Sequence, residues 1–239
     1  MQRYFVKKEN EKIVLSDLDL HHIKDVMRIK SGGQIVCVFD NASYLCVIEF
    51  LNSSYEVKVV EEITKDVELP KDVILYQALI KNDKFDLVIQ KATELGVSTI
   101  YPTVFSRSVV KVEKDKMDKK IDRYNKIIKE ACEQSRRQVL PTMGNYINVK
   151  DIKLDEDTIG FIAYENNNNY KSFNENLIES EKYNKIAVVV GPEGGFSDDE
   201  VKYLVKAGFK NISLGKRILR SETASMYALS VIANYLEGK

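Results

Sequence analysis

The sequence is poor in the residues that mark specialised chain classes. Eleven glycines and four prolines in 239 residues are too few for a collagen-like or low-complexity chain. The three cysteines, Cys37, Cys46 and Cys132, form no CxxC pair and are odd in number. That argues against a disulfide framework and for three small buried hydrophobes in a reducing cytosol. The two histidines, His21 and His22, are adjacent and have no cysteine near them in sequence, so no metal site is expected. Long apolar runs are missing too. Ile186–Val190 is strand length, far short of the roughly 20 residues that span a bilayer. Residues 1–9 carry charges and no apolar h-region, so a signal peptide is not expected and a cytoplasmic location is. Nor does one sign of charge dominate. The 36 basic residues balance 36 acidic ones, which excludes a histone-like polycation and leaves room for a local basic face.

What is present fits one large or two modest domains. The chain is 44% hydrophobic and 30% charged, enough to bury a core and stay soluble. Residues 1–70 read as a small β-barrel. Gln34–Phe39, Ser43–Ile48 and Tyr55–Val60 are short strand-like runs, separated by turns at Asp40-Asn-Ala-Ser43 and Asn52-Ser-Ser54. A short helix over Asp17–Arg28 precedes them, with Leu18, Leu20, Ile23, Val26 and Met27 at helical spacing. The charged stretch 64–72, ending near Pro70, marks the boundary. Residues 71–239 alternate instead. Strands over 73–79, 98–103, 158–163, 186–190 and 209–214 are interleaved with helices over 85–95, 118–137, 173–179, 197–206 and 221–236. That alternation predicts an α/β domain with a mainly parallel sheet. The run Asn166–Asn169 reads as a solvated loop.

Two segments carry candidate chemistry. Gly191-Pro-Glu-Gly-Gly-Phe-Ser197 follows an all-apolar strand and precedes a helix with capping-box spacing at Ser197 and Glu200. Its glycines let a ligand approach the backbone, and ligands of parallel sheets bind beyond the carboxyl ends of strands. It is neither a P-loop nor the dinucleotide fingerprint. Leu214-Gly-Lys-Arg-Ile-Leu-Arg-Ser-Glu-Thr-Ala224 is a second glycine-bearing passage from strand to helix, with Arg217, Arg220 and Glu222 in it. Two such loops at neighbouring strand ends can wall one pocket. A third feature is basic: residues 107–137 hold eleven Lys or Arg against six Asp or Glu, either a solvated face or a phosphate-tracking patch. The last helix is apolar almost all round, which calls for cover on more than one side: either it is fully interior, or it packs on the core and on a second subunit, most simply in a symmetric dimer.

The loops GPEGGFS and LGKRILRSETA resemble the ribosomal RNA small subunit methyltransferase E family of the SPOUT superfamily. The likeness runs through most of the chain. It includes Arg3–Val6, His21-His22 with Val26–Arg28, Lys81–Lys84 with Gln90–Val97, Pro102, Arg107-Ser108 and Glu133–Arg137. Gly32-Gly33 stands where that family often has Gly-Asp, and Ser221 where it often has Thr. The resemblance implies a PUA-like β-barrel RNA-binding domain over 1–70. It implies a trefoil-knotted methyltransferase and dimerisation domain over 71–239. It also implies S-adenosylmethionine as cofactor, a homodimer, and N3 of a uridine in 16S rRNA, free or in the small subunit, as target. Carried onto this chain, the cofactor residues are Gly191, Glu193, Gly194, Gly195, Leu214, Gly215, Ile218, Leu219, Thr223 and Ala224.

The N3 proton of uridine must leave before methylation. Arg220 is expected to stabilise the resulting anion, and Glu222 to orient it or take the proton, with Glu193 as the competing base. Arg3, His22, Arg28, Lys81, Lys91, Arg107 and Arg137 are expected to meet RNA phosphates. Two alternatives stay open on sequence: a SPOUT enzyme for another RNA position such as the ribose 2′-hydroxyl, and a non-catalytic RNA-binding assembly factor.

Overall fold

A computed structural model describes residues 1–52, 54–110, 117–164 and 173–238. The asparagine run at 166–169 and the lysines at 111, 114 and 116 lie outside the described residues. The chain divides into two compact units: Met1–Glu68 with Cys132–Leu140, and Leu69–Ala131 with Pro141–Lys239.

In the first unit a four-stranded sheet runs in the order β1 (Arg3–Phe5), β4 (Gly33–Phe39), β5 (Ala42–Phe50), β6 (Tyr55–Ile63). β1 lies parallel to β4, and the other pairs are antiparallel. Asp40 (φ 51) and Asn41 (φ 57) make the β4–β5 turn, because paired left-handed residues match the twist of a tight hairpin. A separate hairpin joins β2 (Lys7–Glu9) to β3 (Lys12–Val14). Helix α1 (Asp17–His21) starts where the Ser16 hydroxyl accepts the Asp19 N–H at 3.1 Å, and it continues as a π-helical turn over His22–Val26. Tyr4, Ile13, Ile23, Ile35, Cys37, Cys46 and Ile48 form the core.

Residues 132–140, which the sequence reading leaves in the second domain, group with this unit. The Glu68 carboxylate explains how. It accepts from Arg137 Nε (2.9 Å) and Nη2 (2.6 Å), and from the backbone N–H groups of Gln138 (2.8 Å) and Val139 (3.2 Å).

The second unit is built on a parallel sheet in the order β10 (Ile147–Asn148), β8 (Thr99–Val104), β7 (Asp72–Ala78), β12 (Lys185–Val190), β11 (Thr158–Ala163), β13 (Lys210–Ile212). Short β9 (Thr142–Met143) also pairs with β8. β12 is buried along five successive residues, as a strand covered on both faces must be. Helix α2 (Asn82–Glu94) ends at Gly96, whose φ of +88 suits glycine. After α3 (Met117–Ser135) and α4 (Phe173–Ile178) comes α5 (Asp198–Lys206), which opens with a complete Ser197–Glu200 capping box.

The closing helix α6 (Ser221–Glu237) packs on α2, α4, β7 and β12. It buries Ser221, Ala224, Ser225, Ala228, Leu229, Ile232, Ala233 and Leu236. Thr223, Tyr227, Ser230 and Asn234 face outward, so within this chain the helix has one polar side, unlike the all-round apolar helix read from sequence. No described helix is long and apolar enough to cross a membrane.

Candidate active site

Because every strand of the large sheet is parallel, the carboxyl ends lie along one edge. At that edge a cavity of about 570 Å³ opens beyond β11 and β12. Val190, Gly191, Pro192, Glu193, Gly195 and Phe196 form one wall, and Ile218, Leu219, Arg220, Ser221 and Ala224 the other. Ala163 and Tyr164 close it from the end of β11. A recess of about 60 Å³ shares Ala163, Tyr164, Leu219 and Ala224 with it and adds Ile212, Leu214, Gly215 and Arg217. The two loops singled out in the sequence therefore face each other across one cleft.

Two of its glycines are left open. Gly195 (φ +69) and Gly215 (φ +107) hold backbone that L side chains rarely adopt, and a Cβ at either would meet nothing within 4 Å. Space beside these backbones remains for a ligand. Gly194 does not line the cleft. Its Cβ position is 3.0 Å from Arg107 Cβ, and its carbonyl accepts from Arg107 Nη1 at 3.3 Å. Arg107 Nη1 also donates to the Phe196 carbonyl at 2.9 Å. The buried Glu200 carboxylate joins the same two loops, accepting the N–H of Ser106 (2.7 Å) and of Ser197 (2.8 Å). So Arg107, expected among the RNA contacts, lines the cleft and clasps its glycine loop.

Arg220, the residue before α6, lines the cleft. Glu222 does not. Arg220 is the extended N-cap, whereas Glu222 lies in the first turn of the helix and turns to α2, where Oε1 meets Lys84 Nζ at 3.2 Å. Its Oε2 is buried with no hydrogen bond among the described residues. The structure thus separates Arg220 from Glu222, and Glu193 and Asp198 are the carboxylate residues that line the cleft. Thr223 is exposed and lines neither cavity, one helical step from the inward Ala224.

The other RNA candidates divide. Arg28 (φ +53) and Lys81 are exposed, while Lys91 is tied to Glu94 at 2.8 Å. His22 Nδ1 lies 2.9 Å from the Tyr4 hydroxyl. Arg3 donates to Ser43 Oγ at 2.6 Å. Arg137 is the clear correction. It is 4% exposed and bound by Glu68, so its guanidinium is a structural cation rather than a phosphate ligand. Tyr164, Phe196 and Asp198 in the cleft escaped sequence reading. The rule that ligands sit at strand carboxyl ends points to Tyr164, which follows β11 directly.

The chain matches the family model for the RNA methyltransferase PUA domain over residues 15–61, and that for the RNA methyltransferase domain over residues 67–233. It is 35% identical over 236 residues to ribosomal RNA small subunit methyltransferase E of Mesomycoplasma hyopneumoniae, covering 96% of this chain and 98% of that one. It is 34% identical over 250 residues to the Bacillus subtilis protein of the same name, covering 99% and 98%. A crystal structure of the Neisseria gonorrhoeae protein of that name, bound to S-adenosyl methionine, superposes with a TM-score of 0.85 at 28% identity, covering 97% and 96%. The chain belongs to the ribosomal RNA small subunit methyltransferase E family.

Proposed function

We propose that this protein transfers a methyl group from S-adenosylmethionine to N3 of a uridine in small-subunit ribosomal RNA. The observation that carries the proposal is the cleft at the carboxyl edge of the sheet, walled by both glycine loops with Arg220 at one side. The cleft suits such a cofactor. Arg107 and Arg220 stand with Glu193 and Asp198 around an apolar floor, a mixed-charge lining for a ligand with cationic and anionic ends. The open backbones at Gly195 and Gly215 give it room. When bound, S-adenosylmethionine supplies an electrophilic methyl on a sulfonium.

The chain's own residues then do three things. They hold the reacting atoms in line, which is where much of the rate gain of such a transfer arises. Arg220 places positive charge beside the imide anion of the target base. Glu193, the carboxylate on the glycine loop, takes the N3 proton in preference to Glu222, which is engaged with Lys84. The target base must leave any stack to reach the cleft. Arg28 and Lys81 remain as phosphate contacts, with Arg3 on the first unit, so RNA affinity falls steeply with salt. On this reading the two loops belong to a trefoil knot. The enzyme is a cytoplasmic homodimer, with Tyr227 of α6 and Leu87 of α2, 43% and 39% exposed, as candidate contacts.

Titration calorimetry with S-adenosylmethionine on wild type and Gly195→Leu tests the pocket. Binding to wild type and its loss in a variant that still melts cooperatively is the expected result. A folded wild-type protein that neither binds the cofactor nor methylates small ribosomal subunits overturns the proposal. Mapping the product base by mass spectrometry then decides between N3 and the ribose.

A further inference from the structure

The end of α3 holds a residue that its backbone does not favour. The Arg137 N–H closes on the Cys132 carbonyl at 3.0 Å, and Arg136 before it takes a left-handed φ of +65. That is the position just past a helix where glycine is preferred, because it carries no Cβ. An arginine kept there points to a use for its side chain.

Arg136 lines a cavity of about 690 Å³ in the first unit, and Arg3 and Lys65 line it too. The Arg3 guanidinium is held in place by neutral acceptors: Nη1 donates to Ser43 Oγ at 2.6 Å and to the Arg137 carbonyl at 3.4 Å. Among the described residues no carboxylate forms an ion pair with Arg3 or Arg136. Glu61 and Glu133 share the wall, so three cations face two carboxylates and one positive charge is in excess. The Arg3 pKa is lowered from the usual arginine value, first by burial and then by the charge on Arg136. Two guanidiniums that raise each other's potential in a cavity are relieved by an anion, and their planar forks match phosphate oxygens. Arg137, next in sequence, is already bound to Glu68 and takes no part.

We propose that Arg3 and Arg136 form a phosphate site on the first unit, filled by a phosphodiester of the RNA substrate. The proposal rests on the RNA-methyltransferase reading above.

Arg136→Gly separates this role from a structural one. It removes the guanidinium and supplies the residue that the backbone prefers, so the variant is expected to melt no lower than wild type. Its affinity for a small-subunit rRNA fragment is expected to fall about fivefold at low salt, with the slope of log affinity against log salt shallower by about one. Arg136→Lys, which keeps the charge, is expected to recover part of the loss. If wild type binds the fragment and Arg136→Gly matches it in affinity and slope, the phosphate site is overturned and the methyltransferase reading stands. If wild type has no affinity for the fragment, the phosphate site is overturned, while the methyltransferase reading is decided by cofactor binding and methylation of small ribosomal subunits. Inorganic phosphate serves as the second probe. Should it bind wild type and not Arg136→Gly while RNA affinity is equal in both, the site belongs to a free anion and the RNA assignment is overturned.

Discussion

The Ser221 hydroxyl donates to the carbonyl oxygen of Gly191 at 2.7 Å, thirty residues back along the chain. It accepts in turn from Gln77 Nε2 at 3.0 Å, and the Gln77 carbonyl accepts from Ser225 Oγ. Gln77 also donates to the Ala78 carbonyl at 3.1 Å, so its amide is fully used although it is 0% exposed. Because Gln77 Nε2 can only donate, the Ser221 proton is left to Gly191. The loop after β12 and the start of α6 are joined beneath the cleft they wall.

Ser221→Ala strands a buried carbonyl and a buried amide N–H. Loss of such partners costs about 1–3 kcal/mol. Urea unfolding is expected to show that loss, and calorimetry a weaker affinity for S-adenosylmethionine. Wild-type values for both would remove Ser221 from the support of the cleft.

Arg107→Ala frees the glycine loop from its clasp. The side chain is exposed at the cleft, so the effect on unfolding is expected to be small, within about 0.5 kcal/mol. Cofactor affinity is expected to fall several-fold. The pattern to look for is an unchanged melting temperature with a raised KM for the cofactor. A variant that loses RNA affinity alone returns Arg107 to the phosphate contacts.

Arg220→Ala is expected to slow single-turnover methyl transfer by about 10²-fold, the scale of removing one preorganised charge from a developing anion. Glu193→Gln is expected to slow it more than Glu222→Gln. The reverse order would show that the Glu222 carboxylate leaves Lys84 and enters the reaction.

Glu68→Ala removes the carboxylate that accepts two hydrogen bonds from the buried Arg137 guanidinium. Removing one member of a buried pair costs about 3–5 kcal/mol. The double change Glu68→Ala, Arg137→Leu is expected to be less damaging than Glu68→Ala alone, which denaturant titration resolves. Equal losses would mean that the pair carries no coupling.

Alkaline pH is expected to unfold the protein. Burial raises Tyr4 and Tyr76 from 10.0 to about 12, helped at Tyr4 by Glu133 and at Tyr76 by Tyr101. Burial likewise raises Cys132 from 9.0 to about 12. Each is an acid whose neutral form the fold prefers. The stability they contribute is fully present below about pH 9 and is lost as pH climbs through 12. Unfolding free energy measured from pH 8 to 12 checks the sign, and Cys132→Ala is expected to move the onset upward. A flat profile over that range contradicts the burial of these groups.

The cleft was legible in the sequence because its causes are local. A glycine loop after an all-apolar strand, and Ser197 three residues before Glu200, specify their own geometry within a few residues. The misplaced residues depend on distant partners. Arg136 and Arg137 are the same side chain in sequence, and Glu68, from a turn far upstream, buries one and leaves the other exposed. Glu222 and Arg220 are near neighbours along the chain, whereas the helix turns Glu222 toward Lys84. The three-residue strands β1 to β3 are too short to show a period, and only their pairing defines them. The alternating pattern of 71–239 predicted the parallel sheet, but strand order follows from long-range packing.

The capture of residues 132–140 by the first unit has a consequence for synthesis. Arg137 follows Glu68 by 69 residues. At roughly 5–20 residues per second a ribosome needs several seconds to make that stretch. The barrel strands are complete by Ile63, yet the Glu68 carboxylate must wait in water for its arginine while β7, α2, β8 and all of α3 are made. The N-terminal unit of this rRNA-methyltransferase family member therefore cannot finish folding as an independent product of the first 68 codons. Its last contacts close only after more than half of the chain has been translated.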